Sequence, residues 1–249
     1  WKERLLSVLV GHPHREFDLH AAYIPPGASH SWLKIETFEG IYNYLAHPSE
    51  NPRVLCGDFN SPQQERPDGR TVLWGQYLAR NGNIVTPKDS SWPNGERLVI
   101  RDLADYGLPD IYRQLNGWEA EDYSWLVYRK GKVVSRRRFD HIFASPGMQA
   151  IYCGYFHEFR EEGLSDHSAA MAIFSPGNNH DIPEDFHEKR IPVAHRHTSE
   201  VPKNNLYVEV TKQEGYRMER KHDDIRSRDP RESHRTAFLA GWTRAVQGE

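Results

Sequence analysis

The eight residues Arg53-Val54-Leu55-Cys56-Gly57-Asp58-Phe59-Asn60 constrain this chain more than any other stretch. Val54, Leu55 and Cys56 form a short apolar run that reads as a buried strand. Gly57 lets the backbone bend where the strand ends, so Asp58 and Asn60 project from it rather than into the core. An acid and an amide are thereby presented together. The carboxylate can take a proton or hold a hard cation, and the amide can donate to a developing anion, which suits attack on a phosphate. Asp and Asn after a strand are more often plain turn formers bonded to their own backbone, so this reading depends on what else the chain supplies.

Two later stretches supply it. Arg138-Phe139-Asp140-His141-Ile142-Phe143-Ala144-Ser145 passes from alternating polar and apolar residues into an apolar run, which predicts a strand with Asp140 in its middle. A carboxylate there is costly unless it has a partner. Leu164-Ser165-Asp166-His167-Ser168 is a loop entering the apolar run 169–174, so Asp166 and His167 stand at another strand end. An imidazole oriented by a buried carboxylate is a positioned acid–base group, and a further exposed carboxylate is a metal ligand.

Gly57-Asp58-Phe59-Asn60, Arg138-Phe139-Asp140-His141 and Ser165-Asp166-His167 follow one another in that order, and Ala22-Tyr23-Ile24-Pro25-Pro26-Gly27 precedes them as a strand-end tyrosine motif. With these four motifs the chain resembles, over Leu5 to Ser175, the endonuclease/exonuclease/phosphatase superfamily of exonuclease III, abasic-site endonucleases and deoxyribonuclease I. The resemblance implies a deoxyribonuclease I-like fold and in-line attack of an activated water on a phosphodiester, with Mg2+ (or Mn2+) bound at the scissile phosphate. Carried over residue by residue, it makes Asp58 the group that orients or deprotonates the water, and gives Asn60 the phosphate or its nucleophile. Asp140 would pair with His167, whose imidazole contacts a phosphate oxygen. Asp166, with Asp58, would serve the metal, and Tyr23 would donate to the phosphate or the leaving group. Family members also carry two earlier strands, one ending in asparagine and one in a metal-binding glutamate. Only 22 residues precede Tyr23, and Glu3 and Glu16 lie too close to it to be that ligand, so the expectation is a chain whose first strands are missing and whose own activity suffers for it.

Composition adds limits. The net charge is −3 and lies in residues 1–177, which does not mark a nucleic-acid binder by phosphate neutralisation. Local cations do occur at Arg129, Lys130 and Lys132 and in the triplet Arg136-Arg137-Arg138, which read as a basic hairpin that either steers phosphate or is simply solvated. No apolar run approaches membrane length and no charged-then-apolar leader opens the chain. Cys56 and Cys153 lie in apolar settings and read as buried free thiols, pointing to a cytoplasmic protein. DNA is the favoured substrate. Small phosphoesters or lipid headgroups form a second reading, and a non-catalytic remnant a third.

The rest of the chain predicts an α/β architecture, a two-sheet sandwich with outer helices. Leu5 to Val10 and Phe17 to Ile24 read as a hairpin. A helix capped by Ser29 or Ser31 runs to about Ala46 on the stripe Trp32, Ile35, Phe38, Ile41, Tyr42 and Leu45. Ser61 to Arg70 reads as a surface loop, Thr71 to Arg80 as a helix, Trp92 to Gly95 as a loop, and Glu96 to Tyr106 as a second helix broken at Gly107. Trp125 to Tyr128 and Val133 to Ala144 read as a hairpin, with Ser124-Trp125 matching a family strand, and Ala150 to Phe159 as a strand. Residues 1–177 thus form one domain. Residues 178–205 read as a linker or extended arm, in which His195 and His197 lack the cysteines a zinc site would favour, and 206–249 as a small C-terminal element with a hairpin and a helix.

Overall fold

The computed structural model describes residues 2–13, 15–30, 32–87, 91–175 and 206–210. The strands β1 (Leu5–His12) and β2 (Arg15–Tyr23) lead through the single turn α1 (Gly27–His30) to the helix α2 (Leu33–Leu45) and the strand β3 (Arg53–Asp58). Four two-residue strands follow: β4 (Gln64–Glu65), β5 (Thr71–Val72), β6 (Tyr77–Leu78) and β7 (Ile84–Val85). Next come α3 (Trp92–Ile100), a 3-10 turn over Asp102–Tyr106, α4 (Ile111–Asn116), β8 (Trp125–Arg129), β9 (Lys132–Arg137) and β10 (Asp140–Ala144). The described chain closes with β11 (Ala150–Phe156), α5 (Glu158–Glu161), β12 (Ala169–Phe174) and β13 (Leu206–Val210).

Two sheets organise these elements. One has the order β1-β2-β3-β10, and the other β11-β12-β13. The β2–β3 pair is parallel, as a helical crossover through α2 requires, and the other neighbours are antiparallel. Between the sheets lie Phe17, Val54, Cys56, Ile142, Tyr155 and Ala172. Leu55 and Phe143 point the other way, against Phe38 and Ile41 of α2 and Val99 of α3. Every residue of β3 is buried, because both faces of this strand are covered, which is why Val54, Leu55 and Cys56 follow one another with no polar residue between them. The expected two-sheet sandwich with outer helices is therefore present. No helix among the described residues is long and apolar enough to cross a membrane.

Several local expectations give way. Thr71 to Arg80 forms two short strands and turns instead of a helix, since Gly75 and Gly82 adopt positive φ and redirect the chain. Trp92 to Gly95 is not a loop but the first turn of α3, with Pro93 where a proline fits a helix start. Gly95 is needed there for close approach, because a Cβ would lie 2.6 Å from Ile35 of α2. The regular helix stops at Ile100, and the rest of the expected segment is the 3-10 turn, ended at Gly107 with φ 76°. The cap position of α2 is Trp32, whose side chain makes no capping bond, and Ser31 lies outside the described residues. The strand expected over Val133 to Ala144 breaks at Arg138-Phe139: β9 stays with β8 while β10 crosses to β3, and Asp140 opens a strand instead of sitting in its middle. The strand after Ala150 ends at Phe156. In β1, Leu6, Val8 and Leu9 are exposed but Val10 is buried. Leu206–Val210 pairs antiparallel with β12. His195, His197 and the expected helix Ser233 to Val246 lie outside the described residues.

The segment after Asn60 is anchored, not simply a surface loop. Glu65 accepts hydrogen bonds from both Arg113 and Arg138, at 2.7 to 3.2 Å. Arg138 reaches on to Asp110 at 2.6 Å, and Asp110 also caps α4 and accepts from His141 Nδ1 at 2.8 Å. Burial opposes the charge on Glu65, but the Arg138 and Arg113 guanidiniums outweigh it and hold the carboxyl down at about 2. Removing one partner from such a network strands a buried charge.

Two tests follow from this packing. Glu65→Gln should cost ~3–5 kcal/mol of stability at neutral pH, read by urea unfolding. Because the folded pKa is depressed, Glu65 stabilises the fold above ~4.3, its unfolded value, and that share is lost as pH falls towards about 2. The variant should therefore show a flatter decline over that acid window, and an unchanged decline would contradict the account. Gly57 sits at φ 146°, where a Cβ would overlap the Ala22 carbonyl, so Gly57→Ala should abolish the cooperative unfolding transition or lower its midpoint strongly.

Candidate active site

Strand register brings three expected residues into one row. The parallel β2–β3 ladder pairs Tyr23 with Asp58, and the antiparallel β3–β10 ladder pairs Asp140 with the same Asp58. A fourth residue arrives from the loop before β12: His167 Nδ1 donates to Asp140 Oδ2 at 2.6 Å. Asp58, Asp140 and His167 are all buried, and their ligand atoms lie within 4.8 Å of one another. Burial works against a charge on His167, but Asp140, then Asp58 and Asp166, overcome it and raise the imidazole pKa above its ordinary value. An imidazole whose charged form is favoured by neighbouring carboxylates is suited to meet a phosphate oxygen.

Asn60 holds Asp58. Its backbone N–H donates to Asp58 Oδ1 at 2.9 Å, and its side-chain amide donates to Asp58 Oδ2 at 3.1 Å and to the Ile24 carbonyl at 2.9 Å. This residue has φ 48°, an uncommon backbone for a non-glycine. Its carbonyl is fixed by two donors, Lys34 Nζ and Trp74 Nε1, each at 2.9 Å. Lys34 is itself buried on α2 and ion-paired with buried Glu96 at 2.9 Å. Burial pushes the Lys34 amine down and the Glu96 carboxyl up, against their mutual attraction.

Ser124 ties the other half together. Its buried hydroxyl accepts from the backbone N–H groups of Phe139 and Asp140, at 2.9 and 3.0 Å, and its carbonyl accepts from Ser168 N at 2.8 Å. Both sides of the Asp140–His167 bond thus hang from one residue. Tyr155 Oη adds a hydrogen bond to the Asp140 carbonyl, and the Trp125 ring lies 4.7 Å from the His167 ring. Ser124 was visible in the sequence only as part of a strand match. Lys34 had a signal that was passed over, a lysine four and seven residues before Phe38 and Ile41 on the buried stripe of α2.

Two expected ligands differ in placement. Asp58 is in the close group, whereas Asp166 stands next to His167, half-buried, outside it among the described residues. Asp58 and Asp140 supply hard oxygens that fit a magnesium or manganese ion, while His167 Nδ1 is engaged by Asp140. Of the basic triplet, Arg138 is consumed in the buried network, so it is neither the phosphate-steering nor the solvated cation that the sequence left open. A separate cavity of about 270 Å³ opens near the start of β3, lined by Ser7, Asp18, His20, Tyr44 and Arg53. Two imidazoles line it, His47 and His20, the second driven down to about 4 by burial, and Asp18 is the one acid in its lining.

No family model matches the chain. Exodeoxyribonuclease III of Haemophilus influenzae is 27% identical over 179 residues, covering 68% of this chain and 62% of the relative. The chain thus spans under two thirds of the length of this curated relative, 62%. Among solved structures, an AP endonuclease from Archaeoglobus fulgidus matches with a TM-score of 0.50 and 22% identity, over 69% of this chain and 65% of that one. A 3′ phosphatase from Neisseria, bound to a product DNA hairpin, matches with a TM-score of 0.47 and 21% identity over the same shares, 69% and 65%. The chain is thus similar in sequence to exodeoxyribonuclease III and shares its fold with the Archaeoglobus protein.

Proposed function

We propose that the chain is a metal-dependent phosphoester hydrolase acting on DNA. The observation that carries this reading is the convergence of Asp58, Asp140 and His167 within 4.8 Å, with the last two hydrogen-bonded. In this proposal Asp58, held at both oxygens by Asn60, orients an attacking water and takes its proton. His167, fixed by Asp140 and favoured in its charged form, donates to a phosphate oxygen and neutralises charge as the water adds. Tyr23, at the end of β2 in the same row, donates to the phosphate or the leaving group. Asp58 and Asp166, with Asp140 near, would hold Mg2+ or Mn2+. Such an ion polarises the phosphoryl group and stabilises charge on its oxygens.

Resemblance in sequence to a protein named as a deoxyribonuclease favours DNA over a small phosphoester. Cys56 and Cys153 are free and buried, and burial raises the Cys56 thiol to about 12, so neither needs an oxidising compartment; we place the protein in the cytoplasm. We also retain residues 1–177 as the catalytic unit, with 178–205 as a linker and the C-terminal segment as an appendage that contributes β13.

The test is a panel assay with Mg2+, Mn2+ or chelator on abasic-site duplex, single-stranded DNA and a small phosphomonoester. Metal-dependent cleavage of DNA is the expected result, lowered ~10²-fold or more by His167→Ala and by Asp58→Asn, with the fold intact by circular dichroism. Turnover unchanged in either variant would remove the assignment. Preference for the phosphomonoester would favour the small-substrate reading, and no turnover on any member the non-catalytic one.

A further inference from the structure

We infer that Arg137 binds the phosphodiester next to the one under attack, so that the site selects a polynucleotide over an isolated phosphoester; this rests on the hydrolase reading above. Three consecutive arginines meet three different fates. Arg138 is sealed between Glu65 and Asp110. Arg136 is exposed and lies over the Tyr123 ring at 5.0 Å. Arg137, the last residue of β9, lays its guanidinium over Trp74 at 4.6 Å, with Phe139 at 5.8 Å.

Those neighbours locate it. Trp74 touches Arg137 with its face and donates to the Asn60 carbonyl with its edge. Across the β8–β9 hairpin Arg137 pairs with Trp125, whose ring meets that of His167. The arginine is therefore flanked by one residue that holds the Asp58 loop and one that packs on the catalytic imidazole. Its charge is felt at Lys34, as is that of Asp58.

What it lacks is an anion. Among the described residues no carboxylate forms an ion pair with it, and its Nε is buried with no acceptor in range. Burial lowers its pKa, and no acid offsets that. By contrast Arg113 and Arg138 share Glu65. A half-buried guanidinium without a counter-ion is costly in the unliganded chain, and the planar fork matches a phosphate's geometry. The scissile phosphate belongs to the Asp58, Asp140 and His167 cluster, so the anion at Arg137 is its neighbour on the strand.

The experiment is binding of a short fluorescein-labelled DNA duplex to the full chain by anisotropy across a salt series, with chelator present so that nothing is cleaved, and hydrolysis assayed separately. Arg137→Gln should weaken binding about 10-fold or more and reduce the slope of log affinity against log salt by about one, while Arg136→Gln changes both less. Arg137→Lys should keep the slope yet bind several-fold more weakly than wild type, since it keeps the charge but loses the fork; it decides the matter if the glutamine variant fails to fold. Wild-type affinity and slope in Arg137→Gln, wild-type affinity in Arg137→Lys, equal losses in the Arg136 and Arg137 glutamine variants, or no duplex binding at all would each overturn the inference. Selective loss at Arg137 in a chain that hydrolyses nothing would keep the phosphate site and remove the hydrolase reading.

Discussion

Everything at the site depends on the register of β3 with its two neighbours. Tyr23 and Asp140 each stand opposite Asp58, one across a parallel ladder and one across an antiparallel ladder. A slip of one residue in either ladder would send the acid to the other face of the sheet. Gly57 enforces that register from one side, since only a residue without Cβ admits the Ala22 carbonyl so close. Cys56, Leu55 and Val54 enforce it from both faces, because each is fully buried in a core that accepts them only as placed.

Around this row the chain spends buried charge to hold loops still. Lys34 with Glu96 fixes the Asn60 carbonyl, and Arg113 and Arg138 with Glu65 and Asp110 fix the segment beyond it. Ion pairs of this kind add little net stability over an apolar packing of the same volume, because desolvation cancels most of the attraction. Their value here is geometric: each ends on a backbone or a carboxylate next to the cleft. Ser124 does the same with neutral bonds, linking Phe139, Asp140 and Ser168 through one hydroxyl and one carbonyl.

Which parts were legible in the sequence follows from how each segment is buried. Strand β3 and strand β12 are covered on both faces and read as apolar runs, and α2 shows a helical stripe, so these three were plain. Thr71 to Arg80 was not, since Val72, Leu73, Tyr77 and Leu78 have helical spacing while Gly75 turns the chain between two short ladders. The pairing of Asp140 with His167 was foreseen from the cost of an isolated buried acid. The roles of Arg138 and His141 were not, because an arginine in a basic triplet looks solvated until Glu65 and Asp110, 73 and 28 residues away along the chain, are seen to meet it.

The central claim is that Asp140 and His167 act as one unit in attack on the phosphodiester. A double-mutant cycle in kcat/KM on an abasic-site duplex, with Asp140→Asn, His167→Gln and the pair of changes together, measures that directly. If the two residues form a unit, each single change removes most of the activity and the double variant falls to within ~3-fold of the weaker single one. Losses that multiply would mean that the two act independently, and an Asp140→Asn variant as active as wild type would contradict the account.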